Sequence, residues 1–166
     1  MKTTNGASAI SSGISRRPGS ADPELAVLHI DDDPNDTTLL QAATRKAKLS
    51  FTLKNAEDFD QAVAYLTGTG IYEDRREYPM PSLILLDLKM PRATGFEVLC
   101  WLRNNSEVKH IPVIVLSGSE LQDDVRKAYL GGASSYLVKP LGFEALVNMV
   151  RNIHTVWLNA RKPIHA

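Results

Sequence analysis

The sequence predicts an α/β fold in which a five-stranded parallel sheet carries helices on both faces. Five short apolar runs alternate with segments whose apolar residues recur every three or four positions. One run, residues 83–86, is wholly apolar and lies between Pro81 and Pro91, which is typical of a buried strand in a parallel sheet. Because parallel strands need crossover connections, five strand–helix units without internal repeats predict helices on both sides of the sheet.

Each predicted strand is a short apolar run that ends at a polar residue or a turn. The first run leads into three aspartates and a proline, the third into Asp87, and the fourth into a Ser-Gly-Ser sequence. The fifth run ends at a Lys-Pro pair. The five strands are predicted at residues 25–30, 51–53, 83–86, 112–116 and 136–138.

The predicted helices follow the strands and show apolar residues along one face. Pro34 and Asn35 are entry signals for the first helix, Gly68 and Gly70 end the second, and Gly95 precedes the third. The apolar positions are Leu39, Leu40, Ala43 and Ala47; Phe59, Ala62, Val63 and Leu66; Phe96, Leu99 and Leu102; Leu121, Val125, Ala128 and Tyr129; and Phe143, Leu146, Val147, Val150, Ile153, Trp157 and Leu158.

The natural arrangement of five such units is the flavodoxin-like strand order 2-1-3-4-5. Its switch point lies between the first and third strands, at the carboxyl edge where open α/β sheets place their ligands. This order puts the aspartates after the first strand beside Asp87, so a functional site is predicted at that edge.

Composition bounds the class of protein. The 166 residues include 19 Lys and Arg and 19 Asp and Glu, so no global charge favours nucleic acid or an anionic membrane as a partner. A single cysteine excludes an internal disulfide and fits a reducing compartment. Since no apolar run is long enough to span a membrane, we expect a soluble cytoplasmic protein. Its expected organisation is a disordered tail at residues 1–22, one domain at 23–160 and a short tail at 161–166.

Three features are interpreted as structural rather than functional. His29 lies inside an apolar strand and is expected to be a satisfied core residue. Cys100 falls in a helical apolar pattern and is expected to be buried. The polar stretch at residues 69–81 mixes both signs of charge and is expected to be a solvated loop without chemistry.

Five polar residues at strand ends are predicted to converge on one crevice: Asp31, Asp32, Asp87, Ser117 and Lys139. Carboxylates held close together repel one another unless a cation lies among them, and Mg²⁺ prefers such hard oxygen ligands. We therefore expect Mg²⁺ to be bound directly by Asp32 and Asp87, with a backbone carbonyl near Lys89 as a further ligand and Asp31 acting mainly through water. These groups suit phosphoryl transfer, with Asp87 as acceptor and Lys139 and Ser117 contacting phosphoryl oxygens.

This pattern resembles the response-regulator receiver domains of two-component signalling over about residues 25–153. Asp31-Asp32 matches the acidic pair of that family, Asp87 its phosphoacceptor, Ser117 its hydroxyl residue, and Lys139-Pro140 its Lys-Pro pair, whose peptide bond is usually cis in the family. The 55 residues from Asp32 to Asp87 exceed the usual separation because of the polar stretch before the third strand. The chain also resembles the small stand-alone regulators that partner bacterial phytochromes and related sensor kinases. This likeness rests on that polar stretch, on residues 33–36 and on the tail of the last helix through Trp157.

The resemblance implies a stand-alone regulator that is not an enzyme. It would accept a phosphoryl group from a sensor histidine kinase or a histidine phosphotransfer protein, and it would signal through a downstream protein partner. Tyr136 occupies the position of the family's switch aromatic residue on the fifth strand, which turns inward as the hydroxyl residue moves. Trp157 and Leu158, late in the last helix, are candidates for a homodimer contact.

Three alternatives stay open on the sequence. A receiver-like docking module that no longer uses phosphorylation would keep the same fold. A Mg²⁺-dependent phosphohydrolase that forms an aspartyl phosphate would need a second aspartate two residues after Asp87, where Lys89 stands. A nucleotide-binding domain would need glycines after the first strand, where three aspartates stand instead and repel a pyrophosphate.

Overall fold

The sheet has the predicted strand order β2-β1-β3-β4-β5, with all neighbouring pairs parallel, in a computed structural model that describes residues 25–159. The predicted tails at residues 1–22 and 161–166 lie outside the described residues. The flavodoxin-like prediction is confirmed. The strands are β1 (Ala26–Ile30), β2 (Thr52–Ala56), β3 (Leu83–Leu86), β4 (Val113–Ser117) and β5 (Ser135–Val138).

The helices cover both faces of the sheet, as predicted. Helices α2, α3 and α4 pack on one side and α1 and α5 on the other, and each side has its own cluster of buried apolar residues. Their bounds are α1 (Pro34–Lys46), α2 (Phe59–Thr67), α3 (Gly95–Asn104), α4 (Gln122–Leu130) and α5 (Phe143–Ile153), with a 3₁₀ turn at Gly70–Tyr72 and a π-helical turn at His154–Leu158.

The start of α1 is set by local sequence signals next to the sheet edge. The Asp33 carboxylate accepts a hydrogen bond from the Asn35 amide at 2.9 Å, and Pro34 supplies a helical φ at the first position. The helix therefore begins only three residues after Asp31. This short connection places the first turn of α1, including Asp36, over the carboxyl edge of the sheet.

The start of α3 approaches the end of β3 so closely that only glycine fits at Gly95. A Cβ atom there would lie 2.2 Å from the backbone oxygen of Asp87 and 2.7 Å from the Cα of Leu88. Both are backbone atoms, so the loop after β3 would have to move.

Gly95→Ala is therefore expected to lower the free energy of unfolding by about 2–3 kcal/mol, the cost of inserting a methyl group where the backbone cannot yield. Urea denaturation measures the change. Gly118→Ala is the matched control because a Cβ at Gly118 meets nothing within 4 Å, and its stability should stay within about 0.5 kcal/mol of the unaltered chain. Equal midpoints for both variants and the unaltered chain would contradict the close approach.

The segment between α2 and β3 is mostly exposed at residues 69–81, as expected of a solvated loop, but several of its side chains anchor it to the domain. The Arg75 guanidinium donates to the Tyr65 and Leu66 carbonyl oxygens at 2.7 and 2.9 Å, satisfying carbonyls at the end of α2. The rings of Tyr65, Tyr72 and Tyr78 lie 5.0–5.9 Å apart between centroids. The Tyr65 hydroxyl donates to the Pro79 carbonyl oxygen at 2.8 Å, so the segment is tied to the domain at several points.

Several side chains differ from their predicted burial. Cys100 is exposed because the buried face of α3 is formed by its neighbours one position before and two positions after. Leu39 is 48% exposed, and on α4 Ala128 is buried whereas Tyr129 and Leu121, the residue before the helix, are exposed. Strand β2 extends to Ala56, three residues beyond its predicted end, because an edge strand tolerates polar residues.

The last helix corrects one expectation about self-association. Leu158 is fully buried against α1 and the sheet, so it is not available for a homodimer contact. Trp157 is partly buried against the same cluster. Within residues 25–159, no helix is both long enough and apolar enough to cross a membrane.

Candidate functional site

The site is built from residues at the carboxyl edge of the sheet. Asp31 and Asp87 directly follow β1 and β3, and their amides donate to the carbonyl oxygens of Ala56 and Ile30 at 3.0 and 2.9 Å. The Lys139 amide donates to the Ser117 carbonyl oxygen at 2.8 Å. These backbone bonds extend the strand ladders by one residue, so the backbone positions of the predicted site residues are held by the sheet.

Three carboxylates form an acidic group at this edge. Asp31, Asp32 and Asp87 each offer an oxygen, and the three oxygens all lie within 4.8 Å of one another. Asp31 and Asp87 are buried, whereas Asp32 is partly exposed and borders a cleft of about 170 Å³ that is also lined by Glu57, Met90 and Arg92. Hard oxygen ligands beside an open cleft fit a divalent cation that keeps part of its water shell.

The Lys139 ammonium group lies among three carboxylates. Its nitrogen is 2.5 Å from Oδ2 of Asp36, 3.0 Å from Oδ2 of Asp31 and 3.3 Å from Oδ2 of Asp87. An ammonium group has three N–H donors, so these contacts account for all of them. The predicted convergence of Lys139 with Asp31 and Asp87 is present, and Asp36 joins it.

The electrostatics of the two buried carboxyls differ. Burial raises the pKa of Asp87, and the Asp31 charge adds to the rise, while Lys139 and the Lys89 amide oppose it. Burial also acts to raise the pKa of Asp31, but hydrogen bonds from His29, the Asp33 amide and Lys139 outweigh it and hold that pKa well below its usual range. For Lys139 burial acts to lower the pKa, and the carboxylates of Asp36 and Asp31 raise it above its usual value.

Asp87 is further held by the loop that follows it. The Lys89 amide donates to Oδ1 of Asp87 at 3.2 Å, while the Lys89 side chain is exposed. Asp87 Oδ2 faces Lys139. One carboxylate oxygen is thus held by its own loop and the other by the Lys139 ammonium group.

Ser117 is buried at the end of β4, but no hydrogen bond of the described residues joins its hydroxyl to Asp87. The hydroxyl oxygen instead accepts from the Ser119 amide at 3.2 Å. The structure thus brings Asp31, Asp32, Asp87 and Lys139 together and leaves the Ser117 hydroxyl bonded within its own turn.

Tyr136 lies half-buried on β5, and its hydroxyl donates to the Ser119 carbonyl oxygen at 2.8 Å. The Ser119 hydroxyl in turn donates to Asp124 on α4 at 2.5 Å. The Tyr136 amide donates to the Tyr129 hydroxyl at 3.2 Å. The turn after Ser117 is therefore connected by hydrogen bonds to both β5 and α4.

Two residues at the site were not assigned to it from sequence. His29 is buried as expected, yet its Nε2 lies 3.5 Å from Oδ2 of Asp31, so it also contacts the site. Asp36 contacts Lys139, and the available signal was an acidic residue in the first turn of a helix that starts at the sheet edge.

The Lys139–Pro140 peptide bond was expected to be cis, and it is trans in the structure. The trans isomer is the lower-energy one for X–Pro bonds generally.

The doubly covered parallel sheet, its 2-1-3-4-5 order and the acidic group with a lysine at the carboxyl edge define a receiver domain. The chain belongs to the response regulator receiver domain family, whose family model matches residues 27–151. The resemblance inferred from the site residues is confirmed.

The similar proteins include regulators associated with phytochromes. Response regulator Rcp1 of Synechocystis sp. (strain PCC 6803) is 35% identical over 138 residues, which cover 83% of this chain and 92% of Rcp1. A crystal structure of the phosphorylated cyanobacterial phytochrome response regulator RcpA is 31% identical with a TM-score of 0.74, covering 82% of this chain and 96% of that chain.

A response regulator in red light signalling of R. palustris is 35% identical with a TM-score of 0.77, covering 81% of this chain and 94% of that chain. The crystal structure of the Mn²⁺-bound form of Rcp1 matches with a TM-score of 0.70, and the match covers 81% of this chain and 94% of the Rcp1 chain. The chain is thus a receiver domain related to phytochrome response regulators.

Proposed function

We propose that this chain is a cytoplasmic signalling protein that accepts a phosphoryl group on Asp87 in a Mg²⁺-dependent reaction. The donor is a sensor histidine kinase or a histidine phosphotransfer protein, and the output passes to a downstream protein partner. The observation that carries the proposal is the position of Asp87 at the end of a central strand, where it belongs to the acidic group and contacts the Lys139 ammonium group.

In the proposed step, an oxygen of the Asp87 carboxylate attacks the phosphorus of a phosphohistidine. The new bond joins Asp87 oxygen to phosphorus and gives an acyl phosphate, while the phosphorus–nitrogen bond breaks. The electron pair of that bond stays on the imidazole nitrogen, which takes a proton. The chain itself supplies positioning and charge neutralisation, which are the main requirements of phosphoryl transfer.

The other site residues have distinct proposed roles. Asp32 and Asp87 are the direct metal ligands with a backbone carbonyl near Lys89, and Asp31 acts mainly through water. A bound Mg²⁺ would supply neutralisation of charge on the transferring oxygens. Lys139 exchanges its contact with Asp87 Oδ2 for a phosphoryl oxygen, and the Ser117 hydroxyl donates to the phosphoryl group while its oxygen still accepts from the Ser119 amide.

Two similar proteins support this chemistry. Rcp1 has been crystallised in a Mn²⁺-bound form, and RcpA in a phosphorylated form. We infer from them that the sensor partner here is a phytochrome or a related histidine kinase.

The proposed output surface comprises α4, β5 and the start of α5. Movement of Ser117 toward a phosphoryl group would pull on the Ser119 turn, to which both Tyr136 and Asp124 are bonded. This surface carries exposed apolar side chains suited to a protein partner, among them Leu121, Tyr129, Leu130 and Val138. Trp157 stays a candidate contact for a homodimer.

The test is incubation with acetyl phosphate, with and without Mg²⁺, followed by intact mass measurement. The expected result is a gain of one phosphoryl group in the presence of Mg²⁺ and none with chelator. Borohydride reduction of the acyl phosphate and peptide mass analysis should locate the modification on the peptide that contains Asp87. A folded chain that gains no phosphoryl group would instead support a phosphorylation-independent docking module.

A further inference from the structure

Asp36 is the closest carboxylate to the Lys139 ammonium, although it lies outside the acidic group. Its Oδ2 is 2.5 Å from the lysine nitrogen, compared with 3.0 Å for Asp31 and 3.3 Å for Asp87. The acidic group of the described residues consists of Asp31, Asp32 and Asp87. Three carboxylates thus share one ammonium group, and the one that holds it most closely belongs to helix α1.

The position of the ammonium group matters because it competes with a cation. Lys139 contacts Asp31 and Asp87, two of the three carboxylates proposed to serve a divalent ion directly or through water. A positive charge at these oxygens opposes the approach of a second positive charge. The closer the ammonium group lies to Asp36, the less it neutralises the other two carboxylates.

Asp36 is well placed to hold the ammonium group. It lies in the first turn of α1, where the helix dipole favours a negative charge. Asp36 and Lys139 both line a cavity of about 60 Å³. The rest of its wall is mostly apolar, and apolar surroundings strengthen the attraction between two opposite charges. The apolar residues of that wall are Leu39, Leu40, Leu116, Pro140 and Leu146.

We propose that Asp36 is a positioning residue that draws the Lys139 ammonium toward α1 and thereby leaves Asp31 and Asp87 available to a divalent cation. This inference rests on the proposed function, since it concerns the same metal site. Asp36 touches neither the metal nor the phosphoryl group. It acts through Lys139.

The test is calorimetric titration of the unphosphorylated chain with Mg²⁺ alone. Asp36→Asn should weaken Mg²⁺ binding by about fivefold to tenfold, because the whole charge of Lys139 then falls on Asp31 and Asp87. Asp36→Glu keeps the charge and should bind Mg²⁺ within about twofold of the unaltered chain. Thermal unfolding of each variant verifies that it is folded.

Asp33→Asn is the matched control. It removes one negative charge from the same end of α1, keeps a residue that caps a helix equally well, and its side chain bonds the Asn35 amide rather than Lys139. Its Mg²⁺ affinity should change less than about twofold. An equal loss in Asp33→Asn and Asp36→Asn would mean that only the local charge matters, and the proposal would be overturned.

A double-variant cycle separates action through Lys139 from a direct effect of the Asp36 charge. In a Lys139→Met background, Asp36→Asn should change Mg²⁺ affinity by less than about twofold. The same loss with and without the lysine would overturn the proposal, as would unchanged affinity in Asp36→Asn alone. If the unaltered chain binds no Mg²⁺, the proposed function fails together with this inference, whereas binding with an unaffected Asp36→Asn overturns the inference alone.

Discussion

Asp87→Asn is expected to gain no phosphoryl group from acetyl phosphate and Mg²⁺, and to unfold at a higher temperature than the unaltered chain when metal is absent. Asparagine has nearly the same shape as aspartate, but its amide is not an anionic nucleophile. The loss of modification should therefore be complete. Intact mass measures the first effect and thermal unfolding in chelator measures the second.

The rise in stability follows from the pKa of Asp87. Burial raises this pKa, so the folded chain holds the Asp87 proton more tightly than the unfolded chain, and the ionised form is disfavoured in the fold. The stability associated with the protonated form is present at low pH and lost as pH rises through the folded pKa. Asparagine stays neutral, so its advantage should appear at neutral pH and vanish below the unfolded pKa near 4.

Asp60→Asn is the control for both measurements because Asp60 is exposed on α2. It should accept one phosphoryl group and unfold at the same temperature as the unaltered chain. If Asp87→Asn still gains a phosphoryl group, another residue is the acceptor. If it unfolds at a lower temperature at neutral pH, the ionised Asp87 is a net stabilising group, contrary to the direction of its pKa.

Lys139→Met is expected to lower the rate of phosphoryl gain by about a hundredfold, since the loss of one charged donor at developing charge typically has an effect of this size. The same variant should lose about 3 kcal/mol of stability at neutral pH without metal. The reason is that Asp31, Asp36 and Asp87 then lie together without a counter-charge, and removing one partner of a buried ion pair leaves uncompensated charge.

The stability deficit of Lys139→Met should depend on pH with a definite sign. The pKa of Asp31 lies well below its usual range, so its ionised form contributes stability above the unfolded pKa and this is lost as pH falls through the folded value. Lys139 provides part of that stabilisation. The deficit should thus be largest at neutral pH and shrink as pH falls below about 4, where the carboxyls of the variant become protonated.

Urea denaturation at several pH values and the initial rate of mass gain measure these two effects. Lys127→Met, an exposed lysine on α4, is the control and should change neither. A stability deficit that grows on acidification would contradict the assigned ion pairs. An unchanged rate of phosphoryl gain would remove Lys139 from the reaction.

The fold was predictable because its determinants are local and repeated. The apolar runs of β1, β3 and β4 are buried on both faces, and the spacing of apolar residues marked each helix. Strand β2 is predicted three residues too short because Lys54 and Asn55 are polar, and an edge position of this kind has no apolar signature. The contacts that anchor residues 69–81 are not predictable in this way, because Arg75 donates to backbone carbonyl oxygens of α2 and backbone partners cannot be identified from the sequence.

The candidate site was predictable wherever a residue directly follows a strand, because strand order then determines its neighbours. Asp31, Asp87 and Lys139 belong to this class. Asp36 does not, since it lies in a helix 103 residues from Lys139 and an acidic residue in a first helical turn has an ordinary explanation. The bond from the Ser119 amide to the Ser117 hydroxyl oxygen is equally unpredictable from the sequence, because it depends on the side-chain rotamer.

The exposure of Cys100 allows the chain to be labelled with a fluorescent dye at one site without any prior substitution. It is the single thiol in 166 residues, and it lies on the outer side of α3, away from the buried face of that helix. A maleimide dye would therefore attach at one known point and leave the core intact. Since α3 begins against the backbone of Asp87, such a dye would report on motions of that loop or on the arrival of a partner in real time.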